Sequence, residues 1–323
     1  MTPPESTPPL ALLFPGQGSQ QIGMGVGLSE VNASAAQTFA EAESVLGWSV
    51  LSLCGEGPME RLTATEHLQP TLLTVSVAAY RALLDRMGPD WLPAATLGHS
   101  LGEFSALVAA GALSFEQALK LVELRGKAMA EAVPAGHGGM AAVIGLDAEQ
   151  VEQVCATEAQ GEILCVANLN APGQVVVSGQ LSALKRARQS FKQAGARGVI
   201  PLKVSSPFHC ALMGPAARRL ADALAAVDLQ TPRCPVLSNV TGRPHGDQAA
   251  IRKALEAQVV HPVLWTDCVS WVLDQGVRNF VELGPGKVLA GLLRRIERSA
   301  RCLELADSLG LERLDAFLVE EAA

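Results

Sequence analysis

Residues 98–102 of the chain read Gly98-His99-Ser100-Leu101-Gly102, which fits the pattern G-x-S-x-G. That pattern can hold a serine on a sharp turn between a strand and a helix, a nucleophile elbow. Side chains at the flanking glycine positions would clash in so tight a turn. The turn presents the hydroxyl at a helix N-terminus, where backbone N–H groups can stabilise developing negative charge. Ordinary Gly-rich turns also match these three fixed positions, so the elbow reading requires a strand before it and a helix after it.

A serine nucleophile needs a base to take its proton. Six histidines are available, at 67, 99, 137, 209, 245 and 261. His99 lies inside the elbow and is poorly directed toward the neighbouring hydroxyl. His67, His137 and His245 stand in polar or turn-like surroundings and read as solvated surface. His261 precedes a proline and reads as structural. His209, in Ser206-Pro207-Phe208-His209, follows the last strand of what reads as an inserted domain, at the mouth of a cleft between two domains. On position it is the preferred base.

The elements around these residues read as α/β. An apolar run, residues 10–14, ends in Pro15-Gly16-Gln17-Gly18, a strand feeding a tight turn. Helical spacing covers 34–46 and 70–87, the second opening on Pro70, which suits a first helical turn. A strand at 94–97 enters the elbow, and helices follow to about 110 and over 114–132. From 134 the order changes: strand 139–145, helix 148–159, strands 163–168 and 174–178, helix 181–194, strand 198–204. That β-α-β-β-α-β order is the ferredoxin-like pattern. After Pro207 the α/β rhythm resumes with helix 211–227, strand 235–238, helices 249–259 and 265–275, strand 278–283, and helices 286–298 and 308–320. The expected organisation is a large domain of 1–133 and 205–323 carrying an inserted domain of 134–204.

Bulk properties narrow the function classes. Hydrophobic residues make up 49% of the 323 positions and charged ones 18%, enough for a sizeable core. A formal charge of -7 argues against nucleic acid or an anionic membrane as the main partner. Residues 1–9 are polar and Pro-rich, so no signal peptide is expected and disorder is. No apolar run reaches the ~20 residues of a spanning helix. Seven scattered cysteines without a C-x-x-C pair read as reduced and mostly buried, and no metal-binding spacing occurs. The chain is expected to be cytoplasmic and to act as a monomer.

Six segments resemble the malonyl-CoA:acyl-carrier-protein transacylase family and the related acyltransferase domains of polyketide synthases. They are residues 14–20 (FPGQGSQ), 98–103 (GHSLGE), 124–129 (LRGKAM), 168–179 (NLNAPGQVVVSG), 207–209 (PFH) and 282–286 (ELGPG), in the family's order. The resemblance implies an α/β-hydrolase-like large domain with a parallel sheet, plus the ferredoxin-like insertion. It also implies malonyl transfer from malonyl-CoA to the phosphopantetheine thiol of acyl carrier protein, with no metal and no bound cofactor. By it, Ser100 is the nucleophile and His209 the general base and then acid. Gln17 and the backbone N–H of Leu101 form an oxyanion hole, such donors being worth ~10²–10³ in rate each. Gln258, in Gln258-Val259-Val260-His261-Pro262, orients His209 through its main-chain carbonyl where other triads use a carboxylate. Arg125 holds the free malonyl carboxylate, a task for which a planar, permanently charged fork is suited. Read alone, Arg125 would be a solvated residue on a helix rich in Lys and Glu. His99, Gln17 and Phe208 complete the substrate site, and Phe208 resembles the malonyl-selective branch. A single methyl discriminates weakly, by ~1–3 kcal/mol, so methylmalonyl is disfavoured rather than excluded.

Residues 181–203 carry Lys185, Arg186, Arg188, Lys192, Arg197 and Lys203 and no acid. This basic stretch reads either as a solvated helix face or, since acyl carrier proteins are acidic, as a docking surface around Lys185, Arg186 and Arg188. Three readings compete with transfer to a fatty-acid carrier: a stand-alone polyketide acyltransferase, an acyl-enzyme hydrolase, and a non-catalytic scaffold that binds carrier protein.

Overall fold

The computed structural model describes residues 9–319. The expectation of disorder for residues 1–9 therefore falls, apart from Pro9, outside the described residues. In chain order the strands are β1 (Leu10–Phe14), β2 (Ala95–Gly98), β3 (Gly138–Ile144), β4 (Leu164–Ala171), β5 (Gln174–Gln180), β6 (Gly198–Pro201), β7 (Val236–Leu237), β8 (Asn279–Leu283) and β9 (Arg301–Leu305). The chain forms two compact units. One takes in residues 9–123, 227–237 and 269–319; the other takes in 124–226 and 238–268.

The first unit is built on a five-stranded sheet of order β7-β2-β1-β8-β9, parallel at every pairing. All five residues of β1 are buried, as an unbroken apolar run must be in a parallel sheet covered on both faces. The sequence expectation lacked the short helices Val26–Val31, Val50–Glu56 and Met59–Thr63, and two further features depart from it. The helix foreseen from Pro70 begins at Thr65 and runs to Met87, with Pro70 inside it. Proline removes one ladder bond there. Leu68, Gln69 and every residue from Thr71 to Tyr80 are nonetheless buried, and that packing fixes the preceding turn as helix. The second departure is β9, unforeseen because Arg301-Cys302-Leu303-Glu304-Leu305 mixes charge with apolar residues. It is an edge strand in register with β8, with Leu303 and Leu305 buried.

The second unit holds the four-stranded sheet β4-β5-β3-β6, antiparallel throughout. Its helices, Ala148–Ala159 and Leu181–Gln193, complete the ferredoxin-like arrangement that the β-α-β-β-α-β order implied. Val143, Val151, Leu164, Val177, Ala187 and Phe191 fill the core between sheet and helices. Asp147 caps the first of these helices reciprocally with Gln150, which explains why that helix was legible to the residue. β6 stops at Pro201 rather than continuing to 204. The helix expected over 211–227 is a 3-10 turn, Ala211–Met213, followed by the helix Gly214–Ala225. Among the described residues no helix is long and apolar enough to cross a membrane.

The C-terminal end of β8 holds a buried carboxyl group. Glu282 is fully buried beside Leu13 of β1. Its carboxylate accepts hydrogen bonds from the backbone N–H groups of Leu289 at 3.0 Å and Ala290 at 2.8 Å. These are first-turn donors of the helix Val288–Ile296, which has no other side-chain cap. Burial pushes the Glu282 carboxyl up to about 7, against the opposing pull of those backbone donors. Between the ordinary carboxylate value of 4.5 and about 7, the unfolded chain has lost a proton that the folded chain keeps. Stability from this site is therefore fully present below the lower value and is lost as pH rises through the upper one. Relative to Glu282→Gln, the wild type should lose up to about 3 kcal/mol of unfolding free energy between about pH 5 and about pH 8. Denaturant unfolding across that range measures the difference, and parallel pH curves for the two proteins would contradict it.

Candidate active site

The first unit builds the turn around Ser100. β2 ends at Gly98 and the next helix begins at Gly102, so strand and helix meet over three residues. A Cβ on Gly98 would lie 1.9 Å from the Gly102 carbonyl, and one on Gly102 would lie 2.0 Å from the Phe14 oxygen. Backbone occupies the space that side chains would need, which is the physical reason for glycine at both positions. Ser100 takes a left-handed backbone conformation, φ 52°, uncommon for a non-glycine residue. Hydrogen bonds from His99 N to Phe14 O at 3.0 Å and from Gly102 N to His99 O at 2.9 Å fix the turn on the end of β1. Ser100 and His99 are half-buried and Leu101 is buried. Leu101 N–H belongs to the first turn, where backbone donors have no intrahelical acceptor.

The Pro15–Gly18 turn lies directly against this elbow. A Cβ on Gly16 would stand 2.5 Å from the His99 carbonyl oxygen. The turn is braced by Ser19 Oγ donating to Gly16 O at 2.9 Å and by Gly18 N donating to Gln20 Oε1 at 2.7 Å. Gln17, half-buried, sits at its tip.

The second unit gathers His209, Arg125 and Gln258. His209 is 4% exposed and, like Ser100, left-handed, with φ 58°. Its Nδ1 lies 2.8 Å from the main-chain oxygen of Gln258. A carbonyl only accepts, so Nδ1 carries the hydrogen and Nε2 is the nitrogen left to take a proton. Gln258 is the last residue of the helix Gln248–Gln258, whose terminal carbonyls point beyond the ladder. That negative end of the helix also favours positive charge on the ring. Phe208 and Cys210 flank the histidine, both buried, and Cys210 Sγ donates to Pro207 O at 3.0 Å.

Arg125 is only 1% exposed, which reverses its stand-alone reading as a solvated residue. Its Nη2 donates to Gln258 Oε1 at 2.9 Å. It falls on the stripe Ala118, Val122, Arg125, Met129, whose other members are buried apolar residues. That spacing was the available sign that it points inward. Gln258, fully buried, thus contacts His209 through its main chain and Arg125 through its side chain. The segment after it is tied to the 168–179 stretch by a parallel bridge between Asn168 and Val263. Leu169 N donates to Val263 O and Val263 N to Ala167 O, both at 2.9 Å.

His67 is half-buried with its ring 5.3 Å from that of Trp48, rather than on the open surface as expected. His137 is exposed and His245 half-buried. His261 places Nδ1 2.8 Å from Ala257 O, at the end of the same helix as Gln258. Lys185, Arg188 and Lys192 are exposed at i, i+3 and i+7 on the helix Leu181–Gln193. Arg186 between them is engaged, with Nη2 2.7 Å from Glu162 Oε2 and 2.8 Å from Glu158 O. None of the seven cysteines is in a disulfide, and five of them are buried. Among the described residues no group of three or more His, Cys, Asp or Glu side chains could hold a metal ion.

A strained serine at a helix N-terminus, a histidine tautomer fixed by a carbonyl, and a buried guanidinium are parts suited to acyl transfer on an acid-bearing acyl group. Comparison with known proteins agrees. The acyl transferase domain family matches residues 11–319. The malonyl CoA-acyl carrier protein transacylase of Salmonella typhimurium is 48% identical over 289 residues, 88% of this chain and 92% of that one. The solved malonyl CoA-acyl carrier protein transacylase of Coxiella burnetii superposes with a TM-score of 0.94 at 42% identity, covering 97% of this chain and 99% of that one. A solved complex of a type II polyketide acyl-carrier protein with its malonyl-transacylase gives 0.91 at 45% identity, covering 94% of this chain and 98% of that one. On that span and identity, this chain belongs to the acyl transferase domain family.

Proposed function

We propose that this chain transfers malonyl from malonyl-CoA to the phosphopantetheine thiol of acyl carrier protein, through a malonyl ester on Ser100. The observation that carries the reading is Gln258, which holds a tautomer-fixed base at 2.8 Å and a buried guanidinium at 2.9 Å. A base alone would serve any acyl group. A guanidinium beside it selects one that ends in a carboxylate, because acetyl would leave the cation without its partner in a water-poor site.

Ser100 Oγ attacks the thioester carbonyl while His209 Nε2 takes its proton. Gln17 and the Leu101 N–H stabilise the oxyanion. The tetrahedral species collapses to the malonyl-Ser100 ester, and coenzyme A leaves as a thiol with the proton returned by His209. The carrier's phosphopantetheine thiol then gives its proton to His209 and attacks the ester. The new thioester departs and Ser100 regains its proton, so the two half-reactions mirror each other. Arg125 pairs with the distal carboxylate throughout, and His99 and buried Phe208 shape the acyl site. The chemistry uses no bound cofactor or metal; coenzyme A is a substrate. Fatty acid synthesis is the pathway we assign. The likeness to a malonyl-transacylase solved with a polyketide carrier supports a polyketide acyltransferase as the second reading.

Cytoplasmic, monomeric action fits this role. We assign 134–204 as a ferredoxin-like insertion into a catalytic domain of 1–133 and 205–323, since β3 to β6 and their helices lie within 138–201. For the carrier, the exposed stripe of Lys185 and Arg188 is the docking surface we favour. Arg186 contributes there less directly, because it also pins its helix to the end of the preceding one.

Intact-protein mass spectrometry after brief mixing with malonyl-CoA tests the reaction. One malonyl unit is expected on the wild type and none on Ser100→Ala, with acetyl-CoA giving little label. Arg125→Ala should lower malonyl-over-acetyl preference by about 10²-fold. An unlabelled or purely hydrolytic wild type would overturn transfer. For docking, Lys185→Glu with Arg188→Glu should raise the apparent KM for carrier protein at least about fivefold and weaken its salt dependence. An unchanged KM would remove this helix from the carrier surface.

A further inference from the structure

The Gln258 side chain has a task that its carbonyl does not explain. We propose that it is a positioning residue for acyl-group selection, aiming the Arg125 guanidinium at the substrate carboxylate; this rests on the malonyl-transfer reading above. Three observations carry the inference. Arg125 is 1% exposed and Gln258 fully buried, so neither side chain trades its partner for water. Gln258 Oε1 accepts from Nη2 at 2.9 Å, which constrains the guanidinium plane. This acceptor is a neutral amide. A glutamate here would hold the guanidinium as firmly but would cancel its charge and compete with an incoming carboxylate. An amide orients the fork and leaves its attraction for a substrate carboxylate intact.

The same residue carries the carbonyl that receives His209 Nδ1 at 2.8 Å. The base and the carboxylate reader are therefore indexed to one point, the end of the helix Gln248–Gln258. Every substitution at 258 keeps a main-chain carbonyl, so the two roles can be separated by mutation.

The test measures kcat and KM for Ser100 acylation by malonyl-CoA and by acetyl-CoA in the wild type, Gln258→Met and Gln258→Glu, each with Arg125 present and with Arg125→Ala. Thermal unfolding of each variant runs alongside. With Arg125 present, Gln258→Met should lower the malonyl-to-acetyl ratio of kcat/KM at least about tenfold, mainly through a higher KM for malonyl-CoA. Gln258→Glu, nearly isosteric with glutamine, should lower it further, by about a hundredfold, since it opposes the carboxylate as well. With Arg125→Ala, neither substitution should move the ratio more than about twofold, because no fork is left to aim. A ratio unchanged in both variants, or one that falls equally without Arg125, would overturn the inference. If Gln258→Met does not fold, Gln258→Glu decides alone. A wild type that forms the malonyl ester while the ratio stays constant sinks this inference only. A wild type that forms no ester sinks the transfer reading itself.

Discussion

A carbonyl at the end of a helix has no partner of its own, and in a buried setting it must find one. Here the partner of Gln258 O is an imidazole, and much of the second unit is arranged so that this bond can form. The chain must turn left-handed at His209 to present the ring. The Cys210–Pro207 hydrogen bond keeps that turn closed from below. The bridge between Asn168 and Val263 pins the residues that follow the helix end, so the carbonyl cannot drift away from the ring. The ferredoxin-like sheet, through β4, thereby sets the place of a base that lies 49 positions from its acceptor in sequence.

The first unit answers a different constraint, one of volume. Strand, turn and helix crowd together so closely at residues 98–102 that backbone fills the positions of two Cβ atoms. The serine between them is held in a conformation that costs about 1–3 kcal/mol for residues of its kind. Packing around it supplies the compensation: β1 is buried end to end and donates the Phe14 carbonyl that receives His99 N–H. Strain at Ser100 and strain at His209 share a logic, since each reactive side chain is presented by a backbone that would relax if its surroundings loosened.

How much of this was legible in the sequence depends on the range of the interaction. The elbow was readable because its requirements, a strand, three fixed residues and a helix, are all local. The ferredoxin-like order was readable for a similar reason: capping and alternation are properties of short segments, as Asp147 and Gln150 illustrate. Pro70 misled because a rule about first turns is a preference, and the buried residues on either side of it decided the helix start instead. β9 was unreadable because its charges obscure the two leucines that β8 buries. Arg125 was half-legible. Its place on the Ala118–Met129 stripe argues for burial, but nothing within that helix names its partner. The Gln258 amide lies 133 positions away, and pairing at that distance follows only from the fold. Resemblance supplied the roles of His209 and the Gln258 carbonyl, and the geometry gives a reason for them. It also shows the Gln258 side chain, which neither pattern nor spacing had marked.

The use of a carbonyl in place of a carboxylate behind the histidine can now be weighed. A carboxylate would stabilise the imidazolium more strongly. At this point in the fold, however, the group behind His209 belongs to the residue whose side chain holds Arg125. A negative charge there would stand close to the guanidinium in a low-dielectric interior, where it is poorly screened. It would bind the cation that a substrate carboxylate has to reach. Two neutral acceptors on one residue avoid that conflict: the carbonyl fixes a tautomer, the amide fixes a plane, and neither cancels the positive charge between them. The base gives up some charge stabilisation, and in exchange the site keeps an electrostatic reason to prefer an acyl group that ends in a carboxylate.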